Sequence, residues 1–349
     1  MLPSYVCSYA ADFHCTQALF LDIGYMHMVF AYYVIVITVL IRTTSSSVGD
    51  SSSYYRSCTD NCRDAHSCPQ RFDSCSWTSG SCFRCRYECM WKTVDLFMEH
   101  RGFAPQFHGK WPFVAVELPF LGMFDIVIQE PASFVFSLMN FYSLWLFYQQ
   151  VKLIDQLESR EAWRIYTFTG LVTWICSALF HARDCWVTEY LDYFSAFAFI
   201  LSASYVSFCF TQSWFIGITS RSRLSTLYGS FLLLWFTRHV YHMTQHFDYG
   251  YNMRCCIGVS LLTTAMYLLY ITFRWKRFSR LSRSDRMLIG LIIWTNGSVL
   301  LETLDFAPIF WIFDPHSLFH AATMPLPLYL SVFLREYVSE NRYRLDKDV

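Results

Sequence analysis

Long apolar stretches alternate with short polar breaks along the chain from residue 130 onward. Each stretch is close to the ~20 residues that a helix needs to cross about 30 Å of hydrocarbon. The predicted spans cover residues 132–151, 162–181, 193–211, 224–243, 255–273, 287–305 and 316–334. The pattern therefore predicts an all-α polytopic membrane protein built as a seven-transmembrane helix bundle.

A further apolar run lies ahead of the bundle, over residues 24–41, and ends at Arg42. Its length is typical of a signal sequence or of a single span. The composition agrees with a membrane protein, because 15% of the residues are charged whereas soluble proteins carry about 25%. The formal net charge of zero argues against nucleic-acid binding, which needs a basic excess.

Half of the 14 cysteines lie in one polar stretch between these two regions. A structural zinc site usually shows paired C-x2-C units, and here only Cys82 and Cys85 form one. The stretch therefore favours disulfides over zinc, which requires an oxidising lumen or exterior. Because seven is odd, one thiol stays free or pairs outside the cluster, whose members are Cys58, Cys62, Cys68, Cys75, Cys82, Cys85 and Cys89.

The distribution of Lys and Arg over the predicted loops indicates the orientation of the bundle. With the cysteine stretch in the lumen, the basic loop 274–286 becomes cytosolic, whereas the lumenal loops hold little beyond Arg183 and Arg254. The predicted organisation is a leader, signal or anchor over 1–42, a lumenal cysteine-rich region over 43–129, a transmembrane domain over 130–335 and a cytosolic tail over 336–349.

Several polar residues inside the predicted spans lie at one depth, near the lumenal surface. Ser177 and His181 are four residues apart at the end of the second span and share one helical face. Asp192 begins the third span, and His316 and His320, again four apart, open the seventh. Ionisable groups inside a membrane are costly, so these residues are candidates for function.

Two histidines one helical turn apart present ring nitrogens to a single point, as in an H-x3-H zinc half-site. His181 lies at the matching depth and is the best third ligand. A catalytic zinc keeps its fourth position for a water whose pKa falls to about 7. Ser177 and Asp192 are then placed to orient ligands, position the water or polarise a scissile carbonyl. Asp314 and Glu302, nearby in sequence, are candidates for holding the ligands from behind.

A plainer interpretation of these residues competes with the zinc site. A lone H-x3-H in a helix is a weak signal, and His242 and His246 form a rival pair at the end of the fourth span, where interfacial histidines are common. In the plainer interpretation the polar cluster only holds the bundle together. Ser133 and Asn140 of the first span are expected to hold helices in this way.

Six segments of the bundle and its approach form a recognisable series: PQFHGKWPF (105–113), QEPASFVFSLMN, FHARD, LDYF, FDYGYN (247–252) and DPHSLFHAAT. With YECMW (87–91) they resemble the Per-type GPI-remodelling family, post-GPI attachment to proteins factor three, over residues 47–340. That family belongs to a superfamily of seven-span hydrolases with alkaline ceramidases and progestin/adiponectin receptors. The superfamily shares S-x3-H, a following Asp and a C-terminal H-x3-H.

The resemblance implies a lumenal acyl hydrolase of the ER or Golgi that acts on GPI-anchored proteins among membrane lipids. Such proteins are associated with removal of the sn-2 acyl chain from the inositol phospholipid. By the same resemblance, His181, His316 and His320 would hold zinc, Asp192 would act as general base or water orienter, and Ser177 would steady the oxyanion. The alternatives are a ceramidase-like amidase and a non-enzymatic receptor or escort for GPI-anchored proteins.

Overall fold

The computed structural model describes residues 47–120, 124–154, 157, 159–215 and 218–345, all within the unit Ser46–Val349. The predicted leader over 1–42, with its apolar run 24–41, lies outside the described residues. What the structure describes is a disulfide-bonded helical region followed by a bundle of long helices.

The cysteine-rich region is built on two helices, α1 (Ser53–His66) and α2 (Gly80–Arg101), with a short 3-10 helix at Cys75–Thr78 between them. Each helix carries two cysteines four residues apart, so both thiols face the same side. Cys58–Cys89 and Cys62–Cys85 link the two helices, and Cys68–Cys82 links the segment that follows α1 to α2. The preference for disulfides over zinc is therefore confirmed.

A small β-hairpin connects this region to the bundle. Strands β1 (Val116–Phe120) and β2 (Phe124–Ile128) pair antiparallel, with Val116 opposite Ile128. Glu117 accepts a hydrogen bond from Arg84 of α2 at 2.9 Å, which ties the hairpin to the cysteine-rich region. The hairpin departs from the predicted all-helical class, because runs this short cannot be identified reliably from periodicity.

Among the described residues, the bundle contains seven helical segments, and each overlaps one predicted window. The last segment is broken at Met324–Pro325, where proline lacks the N–H that helix continuation needs. The segments are α3 (Pro131–Lys152), α4 (Arg160–Ala182), α5 (Trp186–Thr211), α6 (Ile218–Gln245), α7 (Tyr249–Phe278), α8 (Arg283–Glu302) and α9 (Pro315–Thr323) followed by α10 (Leu326–Leu345).

Four described helices are long and apolar enough to cross a membrane: Arg160–Ala182, Trp186–Trp214, Tyr249–Phe278 and Pro315–Asn341. These four support a membrane-spanning protein by length and composition. The other long helices carry polar side chains that lower their mean hydropathy, such as those of Asn140 in α3, Arg238 in α6 and Asn296 in α8. Seven spans therefore stay a prediction.

Close packing of α3, α4 and α5 fixes the helices that carry most of the candidate residues. Gly170 of α4 allows this approach, since a Cβ there would overlap Leu144 of α3 and Phe199 of α5. Small residues at helix contacts are the usual way for membrane helices to pack closely. Leu144 is fully buried, beside Phe147 and Trp163 in the largest apolar cluster.

The remaining cysteine of the cluster pairs with a cysteine outside it, which is one of the two alternatives that the sequence left open. Cys75 forms a disulfide with Cys185, the residue immediately before α5. Beside this bond, the backbone N–H of Trp186 donates to the carbonyl oxygen of Asp73 at 2.9 Å. The cysteine-rich region is thus attached directly to the end of the bundle where α5 begins.

Candidate active site

Three histidines meet at the end of the bundle that faces the cysteine-rich region. His181 lies in the last turn of α4, and His316 and His320 lie one turn apart in α9. The Nε2 atom of His316 is 3.3 Å from Nε2 of His181 and 3.0 Å from Nε2 of His320. His181 and His320 are buried and His316 is half-buried, so the structure brings together the three residues that the sequence singled out.

The outer ring nitrogen of each histidine is held by a separate oxygen. Nδ1 of His181 lies 2.6 Å from a carboxylate oxygen of Glu130, and Nδ1 of His316 lies 2.7 Å from one of Glu302. Nδ1 of His320 lies 3.0 Å from the hydroxyl of Ser137 in α3. Each of these contacts fixes the direction in which the opposite nitrogen points. The structure thus places Glu302 behind a ligand candidate, as the sequence analysis anticipated.

The acceptors decide which nitrogen of each ring carries the proton. An ionised carboxylate only accepts hydrogen bonds, so Nδ1 is the donor in His181 and in His316. The hydroxyl of Ser137 donates to the carbonyl oxygen of Ser133 at 2.7 Å, which leaves its oxygen to accept from His320. When a ring in this arrangement is neutral, its Nε2 presents an unprotonated lone pair.

Three lone pairs that face one point repel one another unless a cation lies between them. All three ligand atoms lie within 4.8 Å of one another. A tetrahedral zinc with nitrogen ligands at about 2.0–2.1 Å separates those nitrogens by about 3.3 Å, close to the two distances found here. The donor set of His181, His316 and His320 thus fits a zinc ion.

Glu130 belongs to an ion-pair cluster that extends outward from the histidines. Lys110 lies 3.0 Å from Glu130 and 2.8 Å from Asp184, with its ammonium 4.1 Å from the centre of the Phe180 ring. Burial alone would raise the pKa of Glu130, but the charge of Lys110 and the hydrogen bonds from His181 and Lys110 lower it. Glu130 therefore stays ionised and keeps accepting the proton of the His181 ring.

Ser177 and Asp192 differ in whether their side chains already have hydrogen-bond partners. The Ser177 hydroxyl is buried, 3.1 Å from the Ser137 hydroxyl that contacts His320. Asp192 is half-buried in α5. Within the described ranges its carboxylate makes no hydrogen bond or ion pair. Asp192 is therefore available to accept a proton from a water molecule, whereas Ser177 is already engaged.

The remaining candidates lie apart from the three rings. Asp314 caps α9 by accepting from the backbone N–H of Ser317 at 2.9 Å, which is a helix-starting contact and not a contact with a histidine. In the rival pair, the His242 ring packs 4.3 Å from that of Tyr251. Over the part of the chain that the structure describes, no third ligand type joins His242 and His246.

A second group of metal-ligating residue types, Cys62, Cys85 and Cys89, lies in the cysteine-rich region. Their sulfur atoms are already bonded in two of the disulfides. Because a metal is bound by thiolates, this group cannot ligate one while the disulfides are formed.

Two residues of the site were not identified from the sequence as partners of the histidines. Neither Glu130 nor Ser137 is assigned a role by the sequence analysis. Ser137 lies one turn from both Ser133 and Asn140, and this shared polar face was the available signal. The expectation for Asn140 is confirmed, since its side-chain amide donates to the carbonyl oxygen of His320 at 2.7 Å and so joins α3 to α9.

Comparison with known proteins identifies a family for most of the chain. The Per1-like family matches residues 73–338. The mouse protein named GPI-specific phospholipase A2-like PGAP3 is 31% identical over 86% of this chain and 92% of its own length. The zebrafish protein of the same name is 32% identical over 84% and 92%. The Schizosaccharomyces pombe protein named Protein PER1 homolog is 30% identical over 84% and 88%. No solved structure matches.

Proposed function

The chain belongs to the Per1-like family, and on that premise we propose that it remodels GPI anchors as a zinc-dependent acyl hydrolase. The bond it cleaves would be the sn-2 ester of the inositol phospholipid. The names of the mouse and zebrafish relatives, GPI-specific phospholipase A2-like, support this reaction class. The observation that carries this proposal is the convergence of the Nε2 atoms of His181, His316 and His320.

The chemistry divides among few residues. His181, His316 and His320 would hold zinc, which would polarise a carbonyl and lower the pKa of a bound water. Asp192 accepts the proton of a water molecule as its oxygen adds to the ester carbonyl carbon. The bond from that carbon to the glycerol oxygen then breaks, and Asp192 returns the proton to the glycerol oxygen. The products are a free fatty acid and a lipid with one hydroxyl in place of the ester.

Ser177 has two roles open to it. The sequence analysis predicts that it steadies the oxyanion, which requires its proton to point at the substrate. Because the Ser137 proton is given to Ser133, Ser177 is the donor in the contact between the two serine hydroxyls. That contact favours a positioning role, in which Ser177 orients Ser137 and through it His320.

The compartment and the orientation are part of the proposal. Disulfides form in oxidising compartments, so the proposal assigns the cysteine-rich region to the lumen of the ER or Golgi. Because the Cys75–Cys185 bond joins that region to the start of α5, the histidine site would lie on the lumenal side as well. Seven spans with a cytosolic C-terminus follow from the alternation of the helices and from the positive-inside rule.

The direct test uses the purified full-length protein with a GPI-anchored protein as substrate. Wild type is expected to contain zinc and to release a fatty acid from the sn-2 position, measured by mass spectrometry of the anchor. His320→Ala should lose both zinc and activity, whereas His242→Ala, the matched change in the rival pair, should keep both. Retained zinc and activity in His320→Ala would exclude this site.

The same assay separates the alternatives. Release of fatty acid from ceramide but not from GPI would identify a ceramidase-like amidase. A protein that releases no acyl chain, yet restores transport of GPI-anchored proteins in cells that lack it, would be an escort.

A further inference from the structure

A cavity of about 270 Å³ is lined by both the cysteine-rich region and the end of the bundle that holds the three histidines. One side is formed by residues of α1, α2 and the segment 105–115. The other side is formed by Gln129 and Glu130, by Asp184, and by Glu189 in the first turn of α5. The cavity therefore lies beside the candidate active site.

Glu130 joins the cavity to the histidines. One of its carboxylate oxygens lies 3.0 Å from Lys110, which also lines the cavity, and the other lies 2.6 Å from Nδ1 of His181. A molecule in the cavity is thus separated by a single carboxylate side chain from a zinc-ligand candidate.

The cavity contains one positive and one negative group without a charged partner. Arg86 of α2 is half-buried, donates a long hydrogen bond of 3.4 Å to the carbonyl oxygen of Phe72 and lies 5.9 Å from the centre of the Trp77 ring. Among the described residues no carboxylate pairs with it. Glu189 is half-buried, and its carboxylate likewise has no hydrogen bond or ion pair over the described ranges. Partial burial of a charge without a partner costs free energy, and a ligand group of opposite charge, or one that forms hydrogen bonds with it, would reduce that cost.

The rest of the lining is suited to saturated rings that carry hydroxyl groups, such as those of sugars. Phe72, Tyr87 and Trp111 are half-buried and line the cavity. The indole N–H of Trp111 is fixed by a hydrogen bond to Asp305 at 2.9 Å. Apolar and aromatic walls with a few placed polar groups are typical of small-molecule sites, and sugar rings present both apolar faces and hydroxyls.

We infer that this cavity binds the polar headgroup of the lipid that is cleaved, with its phosphate at Arg86 and a ring of the inositol–sugar chain against the aromatic side chains. Arginine is well suited to phosphate because its planar fork forms two charge-assisted hydrogen bonds. Glu189 would accept hydrogen bonds from ring hydroxyls. The identity of the headgroup rests on the proposed function, whereas the phosphate-and-ring chemistry rests on the cavity.

The geometry of a phospholipid agrees with this arrangement. The sn-2 ester and the phosphate are carried by neighbouring carbons of glycerol, so an ester at the histidines brings the phosphate to an adjacent position. A volume of about 270 Å³ is near the lower limit of about 300–1,000 Å³ for small-molecule sites. The cavity would therefore take the rings nearest the lipid and leave the remaining glycan, with its protein, outside.

The test measures binding without catalysis. The probe is the glycerophosphoinositol glycan that remains after alkali removes both acyl chains from a GPI anchor, titrated by calorimetry into the full-length protein in detergent. Wild type and His320→Ala should bind it equally. Arg86→Gln should bind it at least tenfold more weakly, whereas Arg84→Gln, a matched change on the exposed side of α2 beside Glu117, should bind as wild type does.

A second probe isolates the phosphate. A glycan–inositol fragment without phosphate should bind to wild type and to Arg86→Gln alike, because the contact that the variant lacks is absent. Glu189→Gln, which keeps the size of the side chain, should weaken both probes several-fold and serves as the independent variant if Arg86→Gln does not fold.

The outcomes distinguish this inference from the proposed function. Absence of glycan binding by wild type, or equal binding by wild type, Arg86→Gln and Glu189→Gln, would overturn the cavity assignment even if the ester is cleaved. Glycan binding that depends on Arg86, in a protein that cleaves no GPI ester, would support the cavity assignment and reject the hydrolase.

Discussion

Removal of the Glu302 carboxylate is expected to weaken zinc binding without removing a ligand. Glu302 is the last residue of α8, and one of its oxygens accepts the Nδ1 proton of His316 at 2.7 Å. Only 15% of its side chain is exposed, so water replaces this contact poorly. In Glu302→Ala, His316 is free to turn and its Nε2 becomes a weaker base.

The size of the effect follows from the type of bond that is lost. A hydrogen bond to a charged group contributes about 1.5–3 kcal/mol, which corresponds to roughly 10- to 150-fold in affinity at ~1.4 kcal/mol per factor of ten. Loss of such a partner behind a metal ligand typically costs about 10–100-fold. Glu302→Gln keeps an accepting oxygen without the charge, and neutral hydrogen bonds are about half as strong, so its loss should be intermediate.

Chelator competition with purified protein measures the zinc affinity directly. Asp314→Asn is the matched control, because Asp314 is two residues from His316 yet caps α9, a role that Asn fills equally well. Its zinc affinity should stay near that of wild type, and excess zinc should restore the activity of Glu302→Ala. Equal affinities for Glu302→Ala and wild type would refute the argument that Glu302 holds a zinc ligand.

Three further predictions concern the disulfide to the bundle, the role of Ser177 and a buried ion pair. Replacement of Cys75 and Cys185 by Ser should lower the melting temperature of the protein in detergent without reductant. The disulfide closes a separation of 110 residues, and a bond of this kind contributes up to about 4.7 kcal/mol. An unchanged melting temperature would contradict the prediction. Ser177→Ala should weaken zinc binding several-fold, whereas a kcat loss of about 10²–10³ at unchanged zinc affinity would assign it to the oxyanion. Asp285→Asn should reduce stability by up to about 3–5 kcal/mol in thermal unfolding, because it removes the carboxylate 2.7 Å from the fully buried Arg274 and leaves Glu340, at 4.0 Å, as the charged partner. A loss below about 1 kcal/mol, typical of an exposed pair, would speak against it.

The residues that ligate zinc in the proposal could be found from the sequence because their spacing is a property of one helix. His316 and His320 are one turn apart whatever surrounds them, and the depth of His181 follows from the length of its span. The ends of α3 and α4 could likewise be predicted to within two residues. Other helices extend past the apolar windows, as α10 does to Leu345, because a helix continues into polar residues where hydropathy has already fallen.

Contacts between helices could not be predicted in the same way. The partnership of Glu130 with His181, or of Ser137 with His320, depends on how each helix is rotated and tilted against its neighbour. Hydropathy fixes neither quantity. The pairing of Cys75 was open for the same reason, because its partner lies 110 residues away beyond two helices of the bundle.

The short segment from Phe180 to Cys185 connects the three histidines, the ion pairs of Lys110 and the disulfide to Cys75. Within six residues it carries a zinc-ligand candidate, His181, and an acidic partner of Lys110, Asp184, before ending in the cysteine bonded to Cys75. The backbone N–H of Glu130 donates to the carbonyl oxygen of His181 at 3.0 Å, which fixes the segment to the start of α3.

A disulfide at one end of so short a segment restricts the positions available to the rest of it. Asp184 is adjacent to Cys185 and lines the cavity, and its backbone N–H donates to the Gln129 side chain at 3.0 Å. Movement of the cysteine-rich region would therefore shift Lys110 and Glu130, and with them the ring of His181. The disulfide-bonded region thus forms one wall of the cavity beside the candidate site and holds that cavity in a fixed position relative to His181.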